Sequence, residues 1–170
     1  MPEAQLLDFL TRTPFFAGLE PTALERVADM LVAREVSAGA AVFNEGDQGS
    51  SMFVVRSGEM LVFHSGPPGE PPVKLTRLGP GDFFGEMTLI EMQPRSATVQ
   101  AERDAELLEL RSRDLYQLYK QDMRSYVMVL QNINRELCRR LRRTSQRLLE
   151  WASNAEDEST QVNLKRVPRP

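Results

Sequence analysis

The sequence predicts an α+β fold, an antiparallel β-barrel or jelly roll flanked by N-terminal helices and a long C-terminal helix. Apolar residues recur at helical spacing over residues 1–33, short β-runs separated by turn residues fill 34–111, and helical spacing returns over 112–151. Many short strands with glycine corners favour a barrel, because closure leaves no strand edge exposed. Residues 152–170 carry acidic and basic runs without apolar periodicity, so we expect a disordered tail.

Length and charge are typical of one domain with extensions. The chain has 170 residues, and its 21 basic and 24 acidic side chains give a net charge of −3, so no overall positive field attracts nucleic acid. The N-terminus lacks the basic region of a signal peptide, and no apolar run reaches the roughly 18 residues of a membrane span. A single cysteine, Cys138, excludes an internal disulfide and indicates a reducing compartment. We therefore expect a cytoplasmic protein without a membrane segment.

Two helices are predicted before the barrel. The first carries a short apolar stripe, and Thr13-Pro14-Phe15-Phe16 interrupts it. The second begins at Pro21, because proline suits a first helical position. The apolar positions are Leu6, Leu7, Phe9 and Leu10 in the first helix, and Leu24, Val27, Met30 and Leu31 in the second.

Six strands are predicted in the barrel, separated by turns rich in glycine, proline and aspartate. The segment 65–72 holds four prolines, which cannot donate hydrogen bonds to a β-ladder, so we expect an exposed hairpin connection there. A proline segment that binds a partner is the alternative. The predicted strands are Ala41–Asn44, Met52–Arg56, Met60–His64, Val73–Arg77, Ser96–Gln100 and Glu106–Leu110.

The long helix is predicted to begin with Ser112 as its N-cap. Its apolar positions alternate in steps of four and three, which is typical of the seam of a coiled coil. Asn134 takes an a-like position on that seam, where a buried Asn fixes register. Because one small barrel cannot cover the helix beyond Val127, we expect a parallel homodimer; the alternative is a helix packed on its own barrel. The seam consists of Met123, Val127, Leu130, Asn134, Leu137, Leu141, Thr144, Leu148 and Trp151.

Residues 84–98 carry the most specific functional signal. A strand end is predicted at Asp82-Phe83-Phe84. Glu86 and Arg95 then lie nine positions apart, with a helix start after Gly85 and a proline stop at Pro94. Amides at a helix start favour anions, Arg95 offers a planar fork to a phosphate, and Glu86 accepts from hydroxyl donors. A ligand with one phosphate and one sugar hydroxyl, such as a cyclic nucleotide, would use both side chains. An ordinary surface Glu–Arg pair is the alternative.

This stretch resembles the phosphate-binding cassette of cyclic nucleotide-binding domains, as in protein kinase A regulatory subunits, cyclic nucleotide-gated channels and the bacterial catabolite activator protein. The resemblance implies that Glu86 binds the ribose 2′-hydroxyl and that Arg95 binds an exocyclic phosphate oxygen. Thr88 stands where the family often has a smaller residue, which would tighten the phosphate site. The other ligand contacts implied by the resemblance are Gly85, Met87, Thr88, Ser96 and Ala97.

The run Arg139–Arg147 resembles the dimer helix of the catabolite activator protein. The resemblance implies that Thr144, together with the partner subunit's Ser145, contacts the adenine base, while Val62 and Leu75 pack against the faces of that base. It therefore implies cAMP as the preferred ligand. cGMP stays possible, because a hydroxyl like that of Ser96 also occurs in some cGMP-preferring relatives.

No pattern indicates catalysis. The sequence holds one histidine, His64, and lacks a Cys/His metal cluster, a convincing nucleophile–base pair and a Walker phosphate loop. We therefore expect binding without turnover and without a metal. The catabolite activator family follows its long helix with a helix-turn-helix domain, and fewer than twenty residues follow Trp151 here. We expect a stand-alone sensor that acts through a homodimer and an unknown protein effector.

Two alternatives remain at this point. The first is a ligand-free dimeric scaffold that keeps the barrel. The second is a nucleic-acid-associated regulator that uses the arginine-rich run 139–143. Each arginine of that run lies off the predicted seam, so a solvated helix face is favoured and nucleic acid is an improbable partner.

Overall fold

A computed structural model describes the backbone of residues 3–165 and the side chains of residues 4–153. The chain divides after Asn132 into two compact units. Three helical segments precede the sheets: α1 (Glu3–Arg12), a 3-10 turn (Pro14–Phe16) and α2 (Pro21–Met30). The 3-10 turn coincides with the predicted interruption at Thr13–Phe16, and Phe15 and Phe16 are buried there.

Eight strands form two four-stranded sheets in which all strand pairs are antiparallel. One sheet has the order β1-β8-β3-β6 and the other has the order β2-β7-β4-β5. With the flanking helices, these sheets confirm the predicted α+β jelly roll. The strands are β1 Val32–Val36, β2 Ala41–Phe43, β3 Ser51–Ser57, β4 Met60–His64, β5 Val73–Leu78, β6 Phe83–Phe84, β7 Thr98–Ala101 and β8 Ala105–Arg111.

One strand, β1, is missing from the sequence prediction. β1 pairs with β8 from Val32↔Glu109 to Val36↔Ala105, so residues 32 and 33 are strand although they fall in the segment predicted as helical. Its pairing depends on a partner distant in sequence, which local periodicity does not register. β6 coincides with the strand end predicted at Asp82-Phe83-Phe84, and it pairs with β3 over only two positions.

A cluster of buried apolar side chains forms a core with members from both sheets. Phe53 and Phe84 stack with ring centroids 5.3 Å apart, and Phe43 packs against both rings at 6.2 and 5.8 Å. Because Phe84 immediately precedes Gly85, this core supports the start of the next helix. The cluster contains Phe53, Val55, Met60, Leu78, Phe84, Val99, Ala101, Ala105 and Leu107.

A third helix, α3 (Glu86–Glu91), lies between β6 and β7, and two helices follow the barrel. The prediction of a single helix over 112–151 is wrong. The structure has two helices there, α4 (Ser112–Gln121) and α5 (Met123–Lys165), with a break at Asp122. The Asp122 carboxylate accepts hydrogen bonds from Ser125 N–H (3.1 Å) and Ser125 Oγ–H (2.7 Å), and thereby caps α5. These two bonds lower the pKa of Asp122.

The two ends of this region also differ from expectation. Ser112 is the first residue of α4, and the cap position belongs to Arg111, whose backbone is extended. The helix α5 continues through residues 152–165, where a disordered tail was predicted. Several residues there, including Ala155 and Glu156, have good helix propensity and continue a helix that is already nucleated. Residues 166–170 lie outside the described residues.

No helix within residues 3–165 combines the length and the apolar character that a bilayer span requires.

Asn132 fastens the N-terminal 3-10 turn to the start of α5. Its Nδ2 donates to the carbonyl oxygens of Phe15 (2.9 Å) and Ala17 (2.8 Å), and its side chain is buried. The ring of Phe15 in turn meets that of Phe83 edge-on, with centroids 5.0 Å apart. The turn therefore contacts both β6 and the beginning of the long helix.

We expect Asn132→Ala to lower the free energy of unfolding by about 1–3 kcal/mol, because the buried carbonyls of the turn lose their donors. Urea denaturation measures the change. Gln131→Ala is the matched control, since Gln131 is an exposed neighbour on the same helix and should change stability by less than about 0.5 kcal/mol. Equal effects of the two substitutions would contradict the role of Asn132.

Candidate functional site

The backbone of Arg95 is fixed by the turn between β2 and β3. Gly46 N–H donates to the Arg95 carbonyl at 2.8 Å, and Arg95 N–H donates to the Asp47 carbonyl at 2.9 Å. These bonds join segments about fifty residues apart in sequence. They fix the backbone of Arg95 just before β7. Because Arg95 lies outside the strand, its side-chain position is set by the residues that it contacts.

The Arg95 side chain is buried, with 6% of its surface exposed. Its Nη1 donates to the Gly85 carbonyl at 3.1 Å and lies 3.4 Å from Thr88 Oγ1. Its Cζ lies 4.1 Å from the centroid of the Phe43 ring, which is a cation–π contact. Both hydrogen bonds go to the start of α3, so the guanidinium and Glu86 belong to one local arrangement.

Two glycines allow the backbone to approach this guanidinium. A Cβ at Gly49 would lie 2.5 Å from Arg95 Nε, and a Cβ at Gly85 would lie 2.6 Å from Arg95 Nη1. Gly85 also has φ +79°, a left-handed conformation that favours glycine. The sequence predicted a close approach at Gly85, whereas Gly49 was not predicted.

The charged guanidinium of Arg95 is largely removed from water. Desolvation lowers the pKa of the guanidinium, and the carboxylates of Asp47, Glu86 and Glu109 oppose that shift from longer range. Among the described residues none forms a salt bridge with Arg95. Its Nε is buried and has no hydrogen-bond partner there. An anion with several acceptor oxygens would complete this site.

The other residues predicted in the cassette differ in exposure. Glu86 opens α3 and is buried (3% exposed), while Met87 is exposed. The hydroxyl of Ser96 is exposed and lies 3.6 Å from Met87 Sδ, and Ala97 is buried. The structure therefore brings Gly85, Thr88 and Arg95 into contact, places Glu86 at the first position of the same helix, and pairs Met87 with Ser96.

The residues predicted to meet a base lie on other elements. Val62 is half-buried on β4, where it pairs with Val99 of β7, two positions beyond Ala97. Leu75 is exposed on β5, in the register irregularity opposite Val62 and Phe63. Thr144 and Ser145 are exposed on α5, in the unit that begins at Ile133.

Sequence reasoning missed three contributors to the site: Phe43, Asp47 and Gly49. The Glu45-Gly46-Asp47 segment is one of the predicted turns between strands, and no contact with Arg95 was predicted for it. Nothing in the local sequence indicates that its backbone forms hydrogen bonds with a residue about fifty positions later. Within the described residues, no group of three or more His, Cys, Asp or Glu side chains could hold a metal ion.

Comparisons with known proteins confirm the family that the sequence resembles. The family model of the cyclic nucleotide-binding domain matches residues 33–122, which is more than half of the chain. A cyclic nucleotide-gated potassium channel of Mesorhizobium japonicum is 42% identical over 105 residues, covering 62% of this chain and 27% of the channel. The Cyclic AMP receptor protein of Thermus thermophilus is 35% identical over 130 residues, covering 76% of this chain and 58% of the receptor.

A solved structure shows the same likeness in three dimensions. The regulatory domain of Toxoplasma gondii protein kinase A with cAMP superposes with a TM-score of 0.66 at 27% identity, covering 79% of this chain and 50% of that one. The chain thus spans between about a quarter and three fifths of the length of these relatives.

Proposed function

This chain belongs to the cyclic nucleotide-binding domain family, and we propose that it binds a 3′,5′-cyclic purine nucleotide, cAMP in preference to cGMP. It acts as a cytoplasmic homodimeric sensor that passes its signal to a partner protein. The observation that carries this proposal is the buried Arg95 guanidinium, which forms no salt bridge with any described residue, while Glu86 is buried at the start of the adjoining helix α3.

The phosphate is the part of the ligand that Arg95 accounts for. Burying a charge without a partner is costly, and the guanidinium keeps a buried Nε that no described residue satisfies. A phosphate supplies both the opposite charge and acceptor oxygens that Nε and Nη2 can reach together. Gly49 and Gly85 keep the backbone close to the guanidinium without a Cβ that would crowd it.

The sugar and the base are assigned to other residues. Glu86 is buried at the start of α3, where its carboxylate can accept a hydrogen bond from the ribose 2′-hydroxyl. Val62 and Leu75 offer apolar surface for the faces of a purine. The Toxoplasma relative was solved with cAMP, which favours adenine over guanine at this site.

The dimer is supported by the exposed apolar side chains of α5. Five residues of the predicted seam remain 42–71% exposed in a single chain, and this unusual exposure of large apolar groups is explained if a second copy covers them. The arginines lie off this seam, and Arg139 and Arg140 pair with Glu136 of the same helix at 3.4 and 3.3 Å. The five exposed residues are Met123, Val127, Leu141, Leu148 and Trp151.

Replacing Arg95 tests the phosphate contact. We expect Arg95→Ala to weaken cAMP binding by about 2–5 kcal/mol, because the phosphate then lacks a partner in a partly dry site. Glu86→Gln keeps an acceptor oxygen and should weaken binding by less. Isothermal titration calorimetry measures both variants, with Arg103→Ala as a control on an exposed arginine. Parent protein that gives no heat with cAMP, cGMP or cyclic dinucleotides would favour a ligand-free scaffold.

Replacing seam residues tests the dimer. We expect Leu141→Glu and Leu148→Glu each to convert the protein to monomers at tens of micromolar, because a carboxylate cannot be buried in an apolar seam without a partner. Sedimentation velocity measures the change, with and without cAMP. Arg142→Glu introduces the same side chain off the seam and should leave the dimer intact. A monomeric parent protein under both conditions contradicts the proposed seam.

Replacing the two hydroxyl residues of α5 tests how the base is selected. One hydrogen bond contributes about 0.5–1.5 kcal/mol, so Thr144→Ala and Ser145→Ala should each reduce cAMP affinity by about tenfold at most. They should also erode discrimination against cGMP, whose base presents a carbonyl where adenine presents an amine. Titrations with both nucleotides measure this, and Ser153→Ala is the control on the same helix. An unchanged cAMP:cGMP ratio means that the base is selected elsewhere.

A further inference from the structure

The immediate supports of the Arg95 guanidinium are all uncharged. They are the Phe43 ring, the Gly85 carbonyl and the Thr88 hydroxyl. Three carboxylates influence the guanidinium from longer range, and none of the described ones reaches it as a salt bridge. A carboxylate in direct contact would neutralise Arg95, and an anionic ligand would have to displace it. Neutral supports avoid that competition.

The Phe43 ring is held firmly enough to act as such a support. Phe43 ends β2, where it pairs with Val99 of β7. Its ring packs against Phe53 and Phe84, and those two rings stack on each other. The position of the guanidinium is therefore tied through Phe43 to the core between the sheets.

Gly49 covers a face of the same guanidinium. A Cβ built at Gly49 would lie 2.5 Å from Nε and 2.6 Å from both Cζ and Nη2. Nearly equal distances to three atoms of a planar group place that Cβ position over the plane rather than at its edge. The guanidinium is thus confined by an aromatic ring and by glycine backbone, and no described carboxylate is in direct contact with it.

We propose that Phe43 is a positioning residue for the ligand phosphate: its ring holds the Arg95 guanidinium by a cation–π contact in the place that a carboxylate would otherwise take. This inference rests on the proposed function, in which Arg95 binds the phosphate. The aromatic face attracts the cation through its quadrupole and carries no net charge, so Arg95 reaches the ligand fixed in position and still fully cationic.

Phe43→Leu is the direct test, because leucine keeps apolar volume and removes the aromatic face. We expect cAMP affinity to fall about 2- to 30-fold, the range of a partly to fully desolvated cation–π contact. Phe16→Leu is the matched control, since Phe16 is a buried phenylalanine whose ring packs on Phe15 in the 3-10 turn rather than on Phe43. The control should lower stability and leave affinity within about twofold. Equal losses of affinity in both variants would overturn the proposal.

Two further measurements separate positioning from packing. In the Arg95→Ala background, Phe43→Leu should cause no additional loss of affinity, whereas an additive loss overturns the proposal. Phe43→Tyr keeps the aromatic face and should bind cAMP like the parent protein. If Phe43→Leu does not fold, the cAMP affinity of Phe43→Tyr is compared with that of the parent protein instead. A lower cAMP affinity in a folded Phe43→Tyr protein counts against the proposal.

A ligand-free readout distinguishes failure of this inference from failure of the proposed function. The side-chain Nε–H resonance of Arg95 in ¹H–¹⁵N spectra should carry a ring-current shift that Phe43→Leu removes and Phe16→Leu retains. A shift that survives Phe43→Leu overturns the contact. A parent protein that shows the shift and gives no heat with cAMP overturns the proposed function while supporting the Phe43–Arg95 contact.

Discussion

The burial of one guanidinium is the constraint on which the site depends. Arginine remains charged in proteins, so a fold that buries it must offset the lost hydration with contacts or with a ligand. This chain supplies two hydrogen bonds and one aromatic face to Arg95, and it keeps carboxylates at longer range. These contacts hold the guanidinium in place, while its Nε remains without a hydrogen-bond acceptor among the described residues. That combination is suited to binding an anion.

The two-sheet topology places the parts of this arrangement together. Phe43 ends β2, Gly49 precedes β3 and Arg95 precedes β7, so elements from both sheets converge on one guanidinium. The backbone bonds from Gly46 and to Asp47 make the β2–β3 turn part of the site, although it contributes no predicted ligand contact. The jelly roll thus brings distant segments into contact and leaves the local stretch 84–98 to supply the polar groups.

The sequence predicted what is local and missed what is distant. Glu86 and Arg95 could be found because glycine and proline mark the ends of a short helix between them. Phe43 and Gly49 contact Arg95 although they lie about fifty residues from it in sequence, and the local pattern of residues cannot predict such a contact. The break at Asp122 was missed for another reason: apolar spacing continues on both sides of it, and only the capping bonds to Ser125 reveal the interruption. Most of the barrel was predicted, while β1 was missed because it depends on pairing with β8, about seventy residues later.

The 3-10 turn gives the site and the long helix a common support. Phe83 immediately precedes the strand end that leads to Gly85, its ring meets Phe15, and the Phe15 carbonyl accepts from Asn132 at the start of α5. Because the site and the long helix contact the same turn, nucleotide binding and dimerisation can be coupled, and such coupling is reciprocal. Whatever factor a nucleotide adds to dimerisation, dimerisation adds to nucleotide affinity. A sensor that signals through its dimer must therefore show the same factor in the dimerisation constant and in the nucleotide affinity. A protein that binds nucleotide without such signalling need not show that factor in either constant.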